Sequence, residues 1–409
     1  MKIGILTYHC VPNFGAELQA LSTVGFFRQL GYEPIVLHWY PRDLEEMYSK
    51  RIPQKQMEIH NQFALNHLPL SKRCYTEDDL VTEINRLTID FIFVGSDALF
   101  KYKPEKNRRF FSKRKLKYIY TQSLSVEKLD GNPFFGGFIS KLQKKVPACA
   151  FSVSSQNCPF QQMGFFEKRR MSKALSNFSS ITVRDEWTKK MVEAITKQRN
   201  IKITPDPVFS FNENLNFNIS KEDIIRKFHL KEKYILLSFS NWYIDQSYIQ
   251  EIGKSIEENG YQPVILPMPE RCNDFDIITK IDLPLDPLDW YYLIKYSSGY
   301  IGERMHPIVV SLHNAIPFFC FDEYGFSENV AGELKYIKAS SKTYLILKKA
   351  ELTNWMCSYQ DKTSTLPSAS SIINKIKDFP IEKCKNFSLE YQNYYEKSMT
   401  ETISVLIKK

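Results

Sequence analysis

Short apolar runs alternate with helix-like segments along most of this 409-residue chain. In the N-terminal half these runs are KIGILTYH at residues 2–9, EPIVLHW at 33–39 and IDFIFVGSD at 89–97. Between the first two, residues 16–30 space Leu, Val and Phe as a helix does, and Gly31 follows at the expected helix end. Strands that are apolar throughout and separated by helices are typical of a parallel sheet covered on both faces.

The same alternation begins again in the C-terminal half, with the strand-like run EKYILLSFSNW at residues 232–242. A polar, Asn-rich stretch at 211–223 lies between the two repeats of the pattern. We therefore predict an α/β protein with two doubly wound domains, residues 1–212 and 213–380, that face each other across a cleft. A helix within 381–409 is predicted to pack back across the seam.

The composition indicates a folded protein of the cytoplasm. Hydrophobic residues make up 43% and charged residues 25%, which is ordinary for a globular chain. We find no signal-peptide pattern at the start and no apolar run near the roughly 20 residues that span a bilayer. The eight cysteines are scattered without a Cys-x-x-Cys pair, so we interpret them as reduced core thiols and expect no metal site.

Most of the net charge of +9 lies in one segment, residues 101–120, with the sequence KYKPEKNRRFFSKRKLKYIY. It holds nine Lys and Arg residues and a single acid, Glu105. One interpretation is a solvated charged loop. The other is contact with an anionic membrane surface, because Tyr and Phe side chains are interleaved with the cations. We expect no nucleic-acid partner, since the sequence contains no recognised nucleic-acid-binding module.

Open parallel sheets bind ligands beyond the carboxyl ends of their strands, so polar residues that follow each predicted strand are the candidate site residues. They are Asn13, Gly15, Gly95, Ser96, Asp97, Arg184, Asp206, Glu303, Arg304 and His306. None belongs to a Gly-x-Gly-x-x-Gly or a Gly-x-x-x-x-Gly-Lys-Ser/Thr signature, which argues against a dinucleotide or a P-loop nucleotide site. For Arg184, the sequence RDE by itself favours an exposed, charged helix start.

Two polar side chains, Arg304 and His306, lie inside the apolar stretch GERMHPIVV. Pro307 suits the first turn of a helix, so the pair lies where a strand ends and a helix begins. A helix start combined with a guanidinium suits a carboxylate or a phosphate, and a histidine there could move a proton near neutral pH. The alternative is structural, with Arg304 paired to Glu303 or Asp322.

Five motifs, in this order and spacing, resemble the polysaccharide pyruvyl transferase family: KIGILTYHCVPNFGAELQAL, DFIFVGSDALF, ITVRDEWT, PDPVF and GYIGERMHPIVVSLHNAIPFFCFD. The resemblance covers most of residues 1–330. It implies two Rossmann-like domains similar to those of type-B glycosyltransferases. It also implies transfer of a pyruvyl group from phosphoenolpyruvate to hydroxyls of a sugar, usually as a cyclic ketal, in capsule or exopolysaccharide biosynthesis. Two motifs depart from the family: VGSDALF replaces Gly-Ser-Asp-Gln-x-Trp, and Asp322 and Glu323 stand where some members have a basic residue.

The resemblance further implies roles for single residues. The Arg-x-His element of the family corresponds to Arg304 and His306, and its strand-end arginine corresponds to Arg184. We expect the two arginines, from opposite domains, to hold the carboxylate and the phosphate of phosphoenolpyruvate. His306 is then the acid–base catalyst and Asp97 a second candidate. The residues expected to bind substrate are Asn13, Gly15, Gly95, Ser96 and Glu303.

The expected donor side is the C-terminal domain and the acceptor side is the N-terminal domain. No metal and no cofactor beyond the co-substrate phosphoenolpyruvate is required, because arginines can neutralise a phosphate. For a cytoplasmic enzyme of capsule synthesis we expect an acceptor sugar linked to a polyprenyl diphosphate. Segment 101–120 would then hold the enzyme at the anionic inner face of the membrane.

Two other functions stay open at this point. One is a glycosyltransferase of the same architecture that uses a nucleotide sugar, in which Glu303 or Asp322 would hold the ribose. The other is a non-catalytic member of a polysaccharide assembly complex, in which Arg184 and Arg304 would not converge across the cleft.

Overall fold

The structure is a computed structural model of the chain. It describes residues 1–105, 109–112, 117–120, 123–156, 158–239, 244–270, 279–322, 326–330, 333–337, 341–358 and 365–407. These residues form two six-stranded sheets, two short two-stranded sheets and the helices that surround them.

The N-terminal sheet is parallel throughout. Its strands are β1 (Lys2–Leu6), β2 (Glu33–Val36), β3 (Phe91–Asp97), β6 (Ala148–Val153), β7 (Ser180–Val183) and β8 (Lys202–Ile203), in the spatial order β2-β1-β3-β6-β7-β8. Strands β4 (Arg109–Ser112) and β5 (Lys117–Tyr120) form a separate antiparallel pair. The helices of this half are α1 (Phe14–Gln29), α2 (Arg42–Ser49), α3 (Gln54–His67), α4 (Glu77–Leu87), α5 (Phe165–Leu175) and α6 (Glu186–Thr196).

The C-terminal sheet repeats this parallel arrangement. Its strands are β9 (Tyr234–Ser238), β10 (Gln262–Ile265), β11 (Thr279–Lys280), β12 (Gly299–Gly302), β13 (Phe318–Asp322) and β16 (Met356–Ser358), in the order β11-β10-β9-β12-β13-β16. Strands β14 (Phe326–Val330) and β15 (Glu333–Ile337) pair antiparallel. The helices are α7 (Phe211–Asn214), α8 (Lys221–Phe228), α9 (Gln246–Glu258), α10 (Pro287–Lys295), α11 (Met305–Asn314), α12 (Lys342–Lys349), α13 (Ala369–Lys377) and α14 (Ile381–Ile407).

The predicted α/β fold with two doubly wound halves is confirmed. Every residue of β3, β6, β9 and β12 is buried, as expected for parallel strands with helices on both faces. This is why these strands stand out in the sequence as continuous apolar runs. The boundary predicted at residue 212 falls within α7, and the exact domain limits stay a prediction.

Buried polar contacts fix one half of the molecule against the other. The side chain of Gln56 on α3 donates from Nε2 to the Leu285 carbonyl oxygen (2.8 Å) and accepts from the Leu285 amide at Oε1 (2.7 Å). Nearby, the Phe14 ring stacks on Trp290 with 5.2 Å between ring centroids. Leaving a buried amide without its hydrogen bond costs about 1–3 kcal/mol. The two hydrogen bonds of Gln56 therefore fix the position of α3 relative to the start of α10.

The predicted C-terminal helix across the seam is confirmed as α14. On one side, Ser388 Oγ donates to the carbonyl oxygen of His313 on α11 (2.9 Å). On the other side, Tyr394 Oη donates to the carbonyl oxygen of Ile203 on β8 (2.9 Å), and the Tyr395 ring packs edge-on against Phe26. The helix therefore contacts elements of the N-terminal and the C-terminal half and joins the two.

The membrane prediction for residues 101–120 is only partly within the described region. The backbone of β4 and β5 is described there, whereas the side chains of residues 106–120 lie outside what the structure describes. Among the described helices, none combines the length and the apolar character needed to cross a bilayer.

Gly95 and Ser96, predicted to bind substrate, instead hold strands together. An ideal Cβ on Gly95 would lie 2.0 Å from the Phe151 carbonyl oxygen, and φ is +148° there. The buried Ser96 hydroxyl donates to the Ser152 carbonyl oxygen (2.7 Å), and its own carbonyl oxygen accepts from Thr7 Oγ1 (2.8 Å). The close approach of β1, β3 and β6 therefore explains both residues. Position 95 has no room for a side chain, and Ser96 is hydrogen-bonded to the two neighbouring strands.

Replacing Gly95 by alanine is expected to destabilise the fold. The new Cβ would meet the β6 backbone, and overpacking of this kind costs about 1–3 kcal/mol before any strain from the positive φ is added. The matched control is Gly137→Ala, where the nearest heavy atom to the new Cβ would be Ala174 Cβ at 4.0 Å. Thermal unfolding followed by circular dichroism should show a lower melting temperature for Gly95→Ala only. Equal melting temperatures for the two variants would contradict this account.

Candidate active site

A cavity of ≈ 680 Å³ lies at the carboxyl ends of strands from both sheets. Its wall includes residues at or beyond the carboxyl ends of β1, β3, β6 and β7 in the N-terminal half and of β9, β10, β12 and β13 in the C-terminal half. Open parallel sheets bind their ligands at this edge. The charged and proton-transferring side chains of interest here are Asp97, Arg184, Glu303, Arg304, His306 and Lys342.

The first turn of α1 brings the N-terminal half into contact with His306. Asn13 caps this helix, because its Oδ1 accepts from the amides of Gly15 (3.1 Å) and Ala16 (3.3 Å). An ideal Cβ on Gly15 would lie only 2.1 Å from Cγ of His306. Glycine is therefore needed at position 15 so that the imidazole ring can pack directly on the backbone of α1.

Arg184 is buried between two carboxylates at the end of β7. Its side chain is 5% exposed, Nη1 donates to Asp206 Oδ2 (2.6 Å) and Nη2 lies 3.6 Å from Asp97 Oδ1. Burial acts to lower the pKa of Arg184, but the carboxylates of Asp206 and Asp97 outweigh it and raise the pKa above the ordinary value. The guanidinium is thus charged and fixed in place. The alternative of an exposed helix start for Arg184 is wrong.

Gln19 links this charged pair to His306. The fully buried amide donates from Nε2 to Asp206 Oδ2, and the same nitrogen lies 3.4 Å from His306 Nε2. In this way Gln19 positions the imidazole ring beside the ion pair of Arg184 and Asp206. Residues from both halves thereby share one polar chain at the base of the cavity.

His306 is held in its neutral form. Burial lowers its pKa below the ordinary value, and the cations of Arg184 and Lys342 add to that effect. The carboxylates of Asp97 and Asp206 oppose the shift without reversing it. A neutral imidazole at pH 7 can accept a proton from a hydroxyl group, which is the first requirement for a general base.

Lys342, at the first position of α12, contributes a further cation. Ser341 caps this helix by accepting from the Tyr344 amide (3.1 Å), and its hydroxyl donates to the carboxylate of Asp322. Burial and the neighbouring Arg184 lower the pKa of Lys342 to about 8. The carboxylate of Asp322 therefore orients the helix start that carries Lys342.

Arg304 lies at the outer part of the cavity wall. Its side chain is 51% exposed, with Nη2 at 3.8 Å from Glu270 Oε1 and Nε at 3.0 Å from Met268 Sδ. Arg184 and Arg304 line the same cavity, one buried at its base and one near its mouth. Among the described residues, the ion-pair partner of Arg304 is this one distant carboxylate, so the exposed guanidinium keeps donors that can turn toward an anionic ligand.

The sequence profile described as "Polysaccharide pyruvyl transferase" matches residues 13–323. The chain belongs to the polysaccharide pyruvyl transferase family. Membership makes the protein a transferase associated with polysaccharide pyruvylation. A search of curated protein sequences finds no match to this chain.

Solved structures similar to this family member share its two-domain architecture. The UDP-GlcNAc 2-epimerase from Neisseria meningitidis, bound to UDP-GlcNAc, is 10% identical with a TM-score of 0.54 over 98% of this chain and 99% of its own. Spinosyn forosaminyltransferase SpnP is 9% identical with a TM-score of 0.51 over 100% of both chains. Spinosyn rhamnosyltransferase SpnG, complexed with spinosyn aglycone, is 10% identical with a TM-score of 0.51 over 99% of this chain and 100% of its own. Identities this low establish a shared fold alone, which confirms the predicted resemblance to type-B glycosyltransferases.

In this transferase, most of the predicted site residues line the cavity. They are Asn13, Gly15, Asp97, Arg184, Glu303, Arg304 and His306. Two residues of the site, Lys342 and Gln19, were not found from the sequence. The available signal for Gln19 was that apolar residues are spread around the whole of α1 rather than along one face, which indicates a buried helix and hence a paired amide.

The cation of Lys342 gives the cavity a testable dependence on pH. Lys342 is charged below its pKa of about 8 and neutral above it. Binding of sulfate, whose charge is constant from pH 7 to 9.5, should therefore weaken as pH rises through this window. The expected loss is about tenfold or more, since a hydrogen bond to a charged group contributes ~1.5–3 kcal/mol. Isothermal titration calorimetry at fixed ionic strength measures the effect.

Two variants define the origin of that pH dependence. Lys342→Gln should bind sulfate weakly at every pH in the window, without the decline. Lys254→Gln, which removes an exposed lysine of α9, should behave as the wild type. If Lys342→Gln retained the full decline, another group would be responsible.

Proposed function

We propose that this protein transfers the pyruvyl group of phosphoenolpyruvate to two hydroxyls of a sugar, as a ketal on a lipid-linked repeat unit of a capsule or exopolysaccharide. One observation carries the proposal. Three of the cations that line one cavity, Arg184, Arg304 and Lys342, stand there together with the neutral imidazole of His306. Phosphoenolpyruvate carries a carboxylate and a phosphate, and a cavity with several cations and a base suits both its charge and its chemistry.

The reaction needs an addition and then a displacement. A sugar hydroxyl attacks C2 of phosphoenolpyruvate and loses its proton, while C3 gains a proton that converts the methylene to a methyl group. A second hydroxyl then attacks C2, loses its proton, and releases phosphate as the ketal closes. His306 is neutral and lies where the two halves meet. It is the base that accepts the hydroxyl proton and delivers it to C3.

The positions of the cations refine the assignment of charges. Arg184 is already paired with Asp206 and lies near Asp97, so part of its charge is balanced within the protein. Arg304 and Lys342 then supply the charge that faces the phosphate as it leaves. Asp97 is engaged with Arg184 and with the amide of Ala98 (2.6 Å), which suits a positioning role rather than proton transfer.

The activity itself is tested by incubating the protein with phosphoenolpyruvate and a panel of lipid-linked mono- and disaccharides. Release of phosphate together with a mass gain of one pyruvyl group on the acceptor is the expected result. A parallel arm supplies nucleotide sugars to the same acceptors. Transfer of a sugar in that arm would establish the glycosyltransferase alternative, and no product in either arm would favour a non-catalytic role.

His306 and its contact with Gly15 predict a paired set of variants. His306→Gln should lower kcat by about 10²–10⁴, the usual contribution of a general base, with a melting temperature near that of the wild type. Gly15→Ala should also lower kcat, because its Cβ would displace the His306 ring. The control Gly137→Ala should keep full activity. Full turnover by Gly15→Ala or His306→Gln would remove the imidazole from the mechanism.

A peripheral membrane position is a second part of the proposal, and exposed aromatic residues support it. Phe165 and Phe166, at the start of α5, are 72% and 75% exposed. Lys168 and Arg169 follow in the same helix. Glu167 ties this helix start to the beginning of segment 101–120, since its Oε1 accepts from Tyr102 Oη (2.6 Å). Adjacent aromatic and cationic side chains suit the interface of an anionic bilayer.

Co-sedimentation with vesicles of phosphatidylcholine and phosphatidylglycerol tests the membrane contact. The double variant Phe165→Ser/Phe166→Ser should bind at least about tenfold more weakly, because burial of one large apolar side chain is worth ~1.5–3 kcal/mol. The control Leu65→Ser/Leu389→Ser removes two exposed apolar side chains elsewhere and should bind as the wild type. Equal binding by both double variants would contradict the role of α5.

A further inference from the structure

The described cysteines are free thiols, and most of them are buried. Cys10 differs because it lies against two histidines. Its Sγ is 3.4 Å from His38 Nδ1, and His38 Nδ1 is 2.8 Å from His9 Nε2. The three donor atoms all lie within 4.8 Å of one another. We propose that His9, Cys10 and His38 form a binding site for a divalent transition-metal ion, with Zn²⁺ as the first candidate.

The topology of the sheet brings these three residues together. His9 and Cys10 follow β1, and His38 follows β2, its parallel neighbour. Their separation of nearly thirty residues explains why the sequence shows no metal-binding motif. The sequence predicts no metal site because the cysteines show no metal-binding spacing along the chain. The ends of two adjacent strands nevertheless bring these three side chains together in space.

The orientation of His9 is that of a metal-binding histidine. Its Nδ1 lies 2.8 Å from the carbonyl oxygen of Thr7, an acceptor, so Nδ1 carries the proton and donates to it. Nε2 is then left with a lone pair that points at Cys10 and His38. Metal-binding histidines characteristically donate their second ring nitrogen to a backbone carbonyl in this way. Thr7 is itself fixed, since its hydroxyl donates to the Ser96 carbonyl oxygen.

The geometry needs little change to accept the ion. Zn–N bonds of ~2.0–2.1 Å in a tetrahedral site place two nitrogens about 3.4 Å apart, so the two imidazoles would separate by about half an ångström. One thiolate sulfur and two imidazole nitrogens match the donors that Zn²⁺ prefers, and three protein ligands leave a fourth position open. His38 is only partly buried and gives the ion a route of entry.

A second, independent observation also points to a missing partner at this cluster. The hydroxyl of Tyr40 is buried without a hydrogen-bond partner among the described residues. Tyr40 lies two residues beyond His38 in the chain and is only 4% exposed. An unpaired buried hydroxyl costs about 1–3 kcal/mol. A metal ion, or a water molecule bound to it, would provide the partner that Tyr40 lacks.

The ion would stabilise the loop that begins the active site. Residues 9–13 lead from the cluster to Asn13, the cap of α1, and α1 carries Gly15 against His306. The site lies outside the residues that line the cavity, which suits a structural ion.

Cobalt substitution of the tag-free protein, after removal of bound metal with a chelator, tests the proposal. One equivalent of Co²⁺ should give a thiolate-to-metal charge-transfer band together with the intense visible bands of tetrahedral cobalt, and Zn²⁺ should displace both. Cys10→Ser should lose the charge-transfer band, and His38→Gln should bind Zn²⁺ at least tenfold more weakly. Cys384→Ser, which changes another buried thiol, should behave as the wild type.

A second measurement uses only the wild type, so it does not depend on whether the variants fold. It compares the melting temperature with and without Zn²⁺. Zn²⁺ should raise the melting temperature of the metal-free protein, and a chelator should reverse the increase. The proposal fails if the wild type shows no charge-transfer band with Co²⁺, or if Zn²⁺ leaves its melting temperature unchanged. In that case the cluster is a hydrogen-bonded group in which His38 Nδ1–H donates to His9 Nε2.

Discussion

A buried polar chain that runs from Arg184 through Asp206 and Gln19 to His306 holds the site together. Ionised side chains are costly to bury unless each has a partner of opposite charge or a hydrogen bond. Here the guanidinium satisfies two carboxylates, and one of these orients the amide that reaches the imidazole. Removal of any member would leave its neighbours unpaired in a region of low dielectric constant, so the four side chains constrain each other's positions.

The same chain explains why the two halves need a close fit. Arg184, Asp206 and Gln19 belong to the N-terminal layers, whereas His306 belongs to α11 of the second half. The His306 ring can reach Gln19 only because position 15 has no side chain. The double hydrogen bond between Gln56 and Leu285 and the stacking of Phe14 on Trp290 keep this approach fixed. The position of His306 in the cavity thus depends on contacts between residues that take no part in proton transfer or anion binding.

The sequence predicts the fold and the strand-end residues well, because both follow from local patterns. Apolar runs identify buried parallel strands, and the rule that ligands bind at their carboxyl ends selects Arg184 and His306. The same rule fails for Ser96, since a residue at a strand end can turn toward a neighbouring strand as easily as toward the cavity. Lys342 and the group of His9, Cys10 and His38 depend on which elements become neighbours in space, and no local pattern contains that information.

Helix α14 has a consequence for motion. It is attached to α11 through Ser388 and to β8 through Tyr394, so it belongs to both halves at once. A rotation that opened the cleft widely would break one of these attachments, unless its axis ran close to the helix. A wide opening of the cleft would therefore have its hinge near α14, where displacements are smallest. Truncation of the chain before residue 381 would remove that pivot without deleting any residue that lines the cavity.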